Sequence, residues 1–420
     1  MQSSQPPPNA GSRFARFSWV LLDWAASGFS TVLITLVVAY VEKVVFVGGD
    51  RGFSGGVIWA WTLAAAMLVS AVLAPWAAAW ADRRHAHERA LLASTLVGAG
   101  GLLALATAPP EARLAVVLAI VAACVGFDLA QIFTGSLLPR IAGDRDADRL
   151  SAYGFAAGYG GGAIALVAAT AVVAGHDRLG LTAAGGLRLA FALTAAWWIT
   201  FSLPAMAARF GDGGGVRHAA TSGRELLAFA RSLAWPDSPD VPRRLGGVLL
   251  GAMLALGAVQ TAIAQFSSLA LERFDLDGPA LVRLVLLVQA VALPGALGVG
   301  WLSTRLGRWP TAAICLGGWV AVLVLAWFVA TPAQLHALAV LLALVLGGIQ
   351  SVLRASIAAL APEGRSGVTF GLMQVGSKFS GFVASLAFGA VQAITHDPRT
   401  GLAVLLVQLL AGWWFLRRLR

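Results

Sequence analysis

The sequence predicts an all-α membrane protein in which twelve transmembrane helices form two pseudo-symmetric six-helix bundles. Hydrophobic residues make up 58% of the 420 residues and charged residues only 12%, and a chain of this composition lies mostly in lipid. Apolar stretches of at least about 18 residues, long enough to be membrane-span candidates, occur twelve times. A short loop sequence also occurs once in each half of the chain, which indicates an internal duplication.

The predicted spans are spread evenly over the two halves. They cover 19–47, 56–80, 89–108, 113–139, 151–174, 187–208, 245–271, 279–304, 309–330, 334–361, 366–393 and 400–416. The chain therefore divides into a disordered cytoplasmic tail at 1–17, an N-terminal bundle at 18–208, a linker at 209–244 and a C-terminal bundle at 245–420.

Arginine distribution predicts the orientation. Most of the 30 basic residues fall in segments that share one side of the membrane if both termini are cytoplasmic, as the positive-inside rule requires. The linker is the longest of these segments. Within it, Ser222 and Glu225 form a capping box ahead of an apolar stripe, which predicts a short amphipathic helix on the inner leaflet. A plain helical linker is the alternative.

Composition disfavours several other classes of protein. The formal net charge of +10 comes from arginines on the predicted cytoplasmic side, so nucleic acid is not an expected partner. Cys124 and Cys315 lie inside apolar runs, and the six histidines mostly occupy loops. We therefore expect no disulfide framework, metal site or cofactor. An enzyme is the least favoured class, because no nucleophile with a neighbouring base recurs on the spans.

The duplicated loop lies after the second span of each half. Residues 78–84 read Ala-Ala-Trp-Ala-Asp-Arg-Arg, and residues 300–308 read Gly-Trp-Leu-Ser-Thr-Arg-Leu-Gly-Arg, which aligns Asp82 with Thr304. A membrane chain duplicated in this way builds two similar halves around one cleft. This is the plan of a carrier that opens alternately to the two sides.

Ionisable residues inside the spans are candidate site residues, because a charge in lipid costs several kcal/mol unless it is paired or hydrated. Asp23 and Asp128 lie in the first half, and Arg354 and Lys378 in the second. A cleft between the halves would be negative on one wall and positive on the other. It would suit a zwitterion such as an amino acid, or an anion that moves with a proton. Arg283 is expected to snorkel outward as a structural residue.

Asp128 and Asp23 are the candidate proton-coupling residues, since a carboxylate beside cations can change its protonation as a cavity opens and closes. Lys378 is one of only two lysines, and lysine, unlike arginine, can lose its proton when desolvated. The structural alternative is a plain salt bridge between the halves, joining Asp128 to Arg354 or Asp23 to Lys378.

The candidate substrate-binding residues lie on helix faces with these charges or are aromatic residues that could line the cavity. They are Arg354, Lys378, Gln350, Gln374, Gln131, Trp24, Tyr153 and Tyr159. The two tyrosines lie in a glycine-rich run at 153–162, where glycines permit close helix approach or bending. Packing is therefore the alternative to a gating role for them.

The duplicated loop resembles the cytoplasmic signature of the major facilitator superfamily, Gly-x-Leu-Ala-Asp-Arg-x-Gly-Arg, which follows the second and eighth helices. Within that superfamily the chain resembles the "unknown major facilitator" family, which includes the autophagy-related vacuolar amino-acid effluxers. The matching pieces are 23–29, 133–139, 158–161, 347–350 with Arg354 and Pro362, and 370–371 leading to Lys378.

The resemblance implies a latch between the halves on the cytoplasmic side. In it Asp82 would face the start of the eleventh helix near Ser366, where a carboxylate meets the positive end of the helix dipole. The remaining latch residues would be Arg83, Arg305 and Arg308. The chain departs from the family pattern at Ala26, where asparagine is favoured, and at Thr304, where the signature has aspartate.

Together these observations predict a proton-coupled secondary carrier for a small polar or zwitterionic, amino-acid-like solute. Its expected location is the inner membrane of a bacterium, and its expected partners are the solute, protons and membrane lipid, with the chain acting as a monomer. Two alternatives stay open. One is an exporter of amphipathic compounds, and the other is a non-transporting membrane scaffold or assembly factor on a carrier fold.

Overall fold

Twelve helices long and apolar enough to cross a membrane are present in the computed structural model, which describes residues 10–84, 86–141, 144–208, 210, 245–360 and 366–417. In the first half they are α1 (Ala10–Val32, continuing to Val45), α2 (Gly55–Arg84), α3 (His87–Thr107), α4 (Arg113–Ile141), α5 (Asp144–Ala174) and α6 (Ala183–Ala207). In the second they are α7 (Leu245–Phe274), α8 (Gly278–Leu306), α9 (Arg308–Phe328), α10 (Pro332–Leu346 and Gly348–Leu360), α11 (Ser366–Thr395) and α12 (Pro398–Leu416). The predicted number of spans is confirmed.

One boundary differs from the sequence prediction. Residues 10–17 belong to α1 instead of a disordered tail, and the Arg16 Nε donates a hydrogen bond of 3.0 Å to the carbonyl of Ile141 at the end of α4. This bond fixes the first turns of α1 against a neighbouring helix. The amphipathic helix predicted in the linker lies outside the described residues.

Short loops join the helices at the end of the bundle remote from both chain termini, which we call the far end. Side chains in these loops cap the helices that follow: Thr182 caps α6, Asp277 caps α8, Thr331 caps α10 and Asp397 caps α12. Capping is needed because the first N–H groups of a helix have no partner within it. The arginine distribution predicts that the far end is extracellular.

Among the described helices, α1 and α10 depart from regular α-geometry. α1 contains two wider π-helical turns, Leu33–Val37 and Val41–Val45, a feature common at functional sites. α10 is interrupted at Gly347. A methyl group at Gly347 would lie 3.1 Å from the Tyr159 hydroxyl of α5 and 3.2 Å from Ala296 of α8. The interruption therefore lies where helices from both halves approach closely.

The two halves touch at the far end. Gln289 of α8 donates a hydrogen bond of 2.9 Å to the Thr31 hydroxyl of α1. The Trp59 indole of α2 donates one of 3.2 Å to the carbonyl of Ala264 in α7. All four residues lie in the parts of their helices nearer the far end, so the halves are in contact toward this end of the bundle.

Candidate functional site

A buried ion pair joins the two halves near the middle of the bundle. The Lys378 ammonium of α11 lies 2.6 Å from the Asp128 carboxylate of α4. The Asp128 side chain is 10% exposed and that of Lys378 is 25% exposed. The 250 residues that separate them in sequence mean that only the folded arrangement of the halves brings them together.

The charge on each side chain lowers the free-energy cost of burying the other. An isolated charge buried at this depth would cost several kcal/mol, and a direct ion pair offsets much of that cost. Removing either partner would leave the other charge buried without compensation. The pair is therefore an inter-half contact that depends on the charge state of both side chains.

The structure corrects one pairing considered from the sequence. Lys378 pairs with Asp128 and not with Asp23. Asp23 instead lies against Gly154 of α5, because α1 and α5 are neighbours within the first half. The side chain of Arg354 lies outside the described residues, so an interaction between it and Asp128 stays a prediction.

Two of the predicted glutamines accompany the ion pair. Gln131 follows Asp128 by three residues on α4, and Gln374 precedes Lys378 by four on α11, so each shares a helix face with its charge. Both are partly buried. Gln350 is also partly buried, in the second segment of α10. Each member of the pair thus has a glutamine one helical turn away on its own helix.

The predicted aromatic residues fall in three different environments. Trp24 stacks on Trp197 of α6 with ring centroids 5.7 Å apart, which is a packing contact inside the first half. Tyr159 reaches across the halves to Gly347. Tyr153 is 51% exposed. Tyr159 is thus the one placed against Gly347 of the opposite half.

The proposed latch is described only in part. Arg305 and Arg308 are exposed, and the Arg305 guanidinium lies 5.4 Å from the centre of the Trp301 ring. The side chains of Asp82 and Arg83 and the segment 361–365 lie outside the described residues. The latch stays a prediction.

Sequence reasoning missed two acids near the far end, the buried Glu42 of α1 and the partly buried Glu272 of α7. Each is followed directly by a base, Lys43 and Arg273, and lies at the end of a predicted span, where charged residues are ordinarily solvated. The signal that could have found them is the duplication, because both acid–base pairs end the first span of a half.

These twelve helices in two halves form a fold of the major facilitator type. The fold is similar to that of a point mutant of the nucleoside transporter NupG, with a TM-score of 0.72 at 13% identity, covering 97% of this chain and all of that one. It is also similar to a D-xylose-proton symporter, with a TM-score of 0.71 at 15% identity, covering 96% and 98%.

The chain belongs to the family described as vacuole effluxer Atg22 like, whose profile matches residues 43–419. It is also 25% identical over 404 residues to YxiO, an uncharacterised MFS-type transporter of Bacillus subtilis strain 168, covering 94% of this chain and 92% of that protein. The family resemblance noted from the duplicated loop and the charged spans is confirmed.

Proposed function

We propose that this protein moves a small polar or zwitterionic, amino-acid-like solute by alternating access, with proton coupling at the inter-half ion pair. The observation that supports this proposal is the 2.6 Å contact between Asp128 and Lys378. This contact links a titratable acid in one half to a base in the other. The chemistry of the site therefore controls whether the halves are held together.

The pair provides a way to couple binding to opening. A solute carboxylate that binds Lys378 displaces Asp128, and the displaced carboxylate then takes up a proton because it is buried without a counter-charge. Asp128 and Lys378 are then no longer joined, and the halves separate at this depth. A solute ammonium group would find acceptors in the nearby amides of Gln131 and Gln374.

The comparisons support transport with proton coupling. Solved structures that share this fold include a D-xylose-proton symporter and a peptide transporter crystallised with sulfate. The family description names an effluxer of the vacuole, and the Bacillus relative supports a bacterial inner-membrane location. Arginine-rich segments on the side of both termini support a cytoplasmic position for those termini.

The proposal is tested by reconstitution of the purified protein into liposomes. A thermal-shift screen of amino acids, short peptides and lipophilic cations first identifies solutes that stabilise the protein. Uptake of the stabilising solute is then measured with and without a pH gradient. We expect the gradient to drive accumulation above equilibrium. Equal accumulation with and without the pH gradient would refute proton coupling. Preference for lipophilic cations would favour export of amphipathic compounds.

Replacing Lys378 with arginine is expected to keep the ion pair and the thermal stability but to slow solute transport at least about tenfold, equivalent to about 1.4 kcal/mol in activation free energy. Arginine stays charged and holds a carboxylate through two hydrogen bonds, so Asp128 would be released less readily. Initial uptake rates measure the effect. Lys43→Arg, at the exposed pair with Asp275, is the matched control, and full activity of Lys378→Arg would exclude a role for lysine titration.

A further inference from the structure

A second group of polar side chains lies near the far end, where α1, α2, α7 and α11 meet. We call it the far-end carboxylate pocket and define it by Glu42, Glu272, Ser268 and Gln392. The two glycines that begin α2 lie against it. A methyl group at Gly55 would lie 3.0–3.3 Å from Glu42, and one at Gly56 would lie 2.5 Å from the Glu272 carboxylate and 2.8 Å from the Ser268 hydroxyl.

Glu42 is buried in this pocket, where the Ser268 hydroxyl faces it but no counter-charge among the described residues is in contact with it. The residue is 7% exposed, and neither carboxylate oxygen has accessible surface or a hydrogen bond of standard geometry. It lies in the second π-helical turn of α1. An ionised carboxylate in such a place would lose its hydration and gain only the Ser268 hydroxyl as a donor in return. Glu42 is therefore accommodated as the neutral, protonated acid.

Glu272 has the opposite environment in the same pocket. The Gly56 N–H donates a hydrogen bond of 2.8 Å to its Oε1 atom, and the Gln392 amide donates one of 2.5 Å to its Oε2 atom. Both carboxylate oxygens of Glu272 therefore accept a hydrogen bond from a neighbouring helix. The Gln392 Oε1 atom is itself buried and has no hydrogen-bond partner. Glu272 is thus hydrogen-bonded within the pocket through both oxygens, whereas neither oxygen of Glu42 has a hydrogen bond of standard geometry.

The charged groups that act on Glu42 are Glu272 of α7 and Lys43 of its own helix. The Lys43 ammonium is engaged elsewhere, 2.8 Å from the Asp275 carboxylate. The hydrogen bond from Lys43 lowers the pKa of Asp275, so that exposed pair stays ionised from mildly acidic to neutral pH. Two nearby carboxylates without a cation between them cannot both ionise at low cost.

We propose that the far-end carboxylate pocket is a proton-binding site, separate from Asp128, in which a proton on Glu42 permits the far end to close. When the far end opens, water hydrates Glu42 and accepts its proton, leaving a carboxylate that resists return to the pocket. Closure requires a proton to bind again. The two halves are thus held together at the far end only while Glu42 is protonated.

The test measures opening of the far end without any solute, so its outcome does not depend on the proposed substrate, and a variant without the Asp128–Lys378 pair separates it from coupling at Asp128. Ala60 of α2 is fully buried against Gly389 of α11 and serves as the reporter. The variant Ala60→Cys is made in a Cys124→Ala/Cys315→Ala background and labelled with a maleimide in lipid nanodiscs from about pH 5 to about pH 8. The labelling ratio is the labelling rate of Ala60→Cys divided by that of Val47→Cys, an exposed far-end position. Taking this ratio removes the intrinsic pH dependence of the thiol reaction.

We expect the labelling ratio to rise several-fold from the acidic to the alkaline limit, and to stay low and independent of pH after Glu42→Gln, because the amide mimics the neutral acid. Glu111→Gln, an exposed far-end acid, is the matched control and should keep the rise. The double variant Asp128→Asn/Lys378→Gln should keep it as well.

Three outcomes would overturn the proposal. One is an unchanged pH response after Glu42→Gln. Another is loss of the response in the Asp128→Asn/Lys378→Gln variant, which would assign it to the ion pair. The third is a fall in the labelling ratio at alkaline pH when sodium replaces choline in the buffer. That result would mean that the pocket binds a metal cation in place of a proton.

Discussion

Asp128→Asn alone is expected to abolish accumulation driven by a pH gradient and to lower the thermal stability of the protein. The variant leaves Lys378 without its partner at 2.6 Å, and breaking a buried pair on one side costs about 3–5 kcal/mol. Liposome uptake measures the first effect, and a large decrease in the unfolding temperature in detergent measures the second.

A double-mutant cycle separates stability from coupling. The variant Asp128→Asn/Lys378→Gln removes both charges and should recover most of the lost stability without recovering gradient-driven accumulation. Asp50→Asn is the matched control, because it breaks an exposed ion pair with Arg113 of similar length, 2.9 Å, where about 0–1 kcal/mol is expected. Gradient-driven uptake by the double variant would exclude Asp128 as the coupling acid.

Gly126→Val is expected to prevent correct packing of α3 against α4 and to remove most folded protein from the membrane. A methyl group at Gly126 would fall on the backbone of Gly98, and one at Gly101 would lie 2.5 Å from the backbone nitrogen of Ala123. Rigid backbone cannot yield to an added side chain, so the cost exceeds the roughly 1–3 kcal/mol that is typical of an overpacked core.

The matched control is Gly100→Val on α3, where an added methyl group meets nothing within 4 Å. Both variants add the same branched side chain to a transmembrane helix, so their intrinsic helix propensities change equally. Monodisperse yield in gel filtration and the unfolding temperature compare them. Equal behaviour of the two variants would show that the α3–α4 contact is not limiting for folding.

Hydropathy predicted the helices closely because span length is set by the bilayer and does not depend on tertiary contacts. The predicted third span, 89–108, and the observed α3, His87–Thr107, agree within two residues. The start of α1 was placed too late because its first turns are polar. They are helical in the structure, where Arg16 binds the end of α4, a tertiary contact that hydropathy does not detect.

The two residues of the ion pair could be predicted from the sequence, but their pairing could not. A charge deep in a span signals that a partner or water must be present, and this argument singled out Asp128 and Lys378, which the structure pairs with each other. It did not find their pairing, because several acids and bases lay at similar depths and the rotation of each helix was unknown. Glu42 was missed for a related reason, since depth along the chain does not show whether a neighbouring helix covers the end of a span.

The two π-helical turns of α1 set the direction of the side chains that follow them along the helix. Each wide turn accommodates about one extra residue, which rotates the following side chains by about 100° relative to an uninterrupted α-helix. Shortening 33–37 by one residue would therefore swing the last turns of α1 through more than a quarter circle. Hydropathy would barely change, yet Glu42 would face a different neighbour.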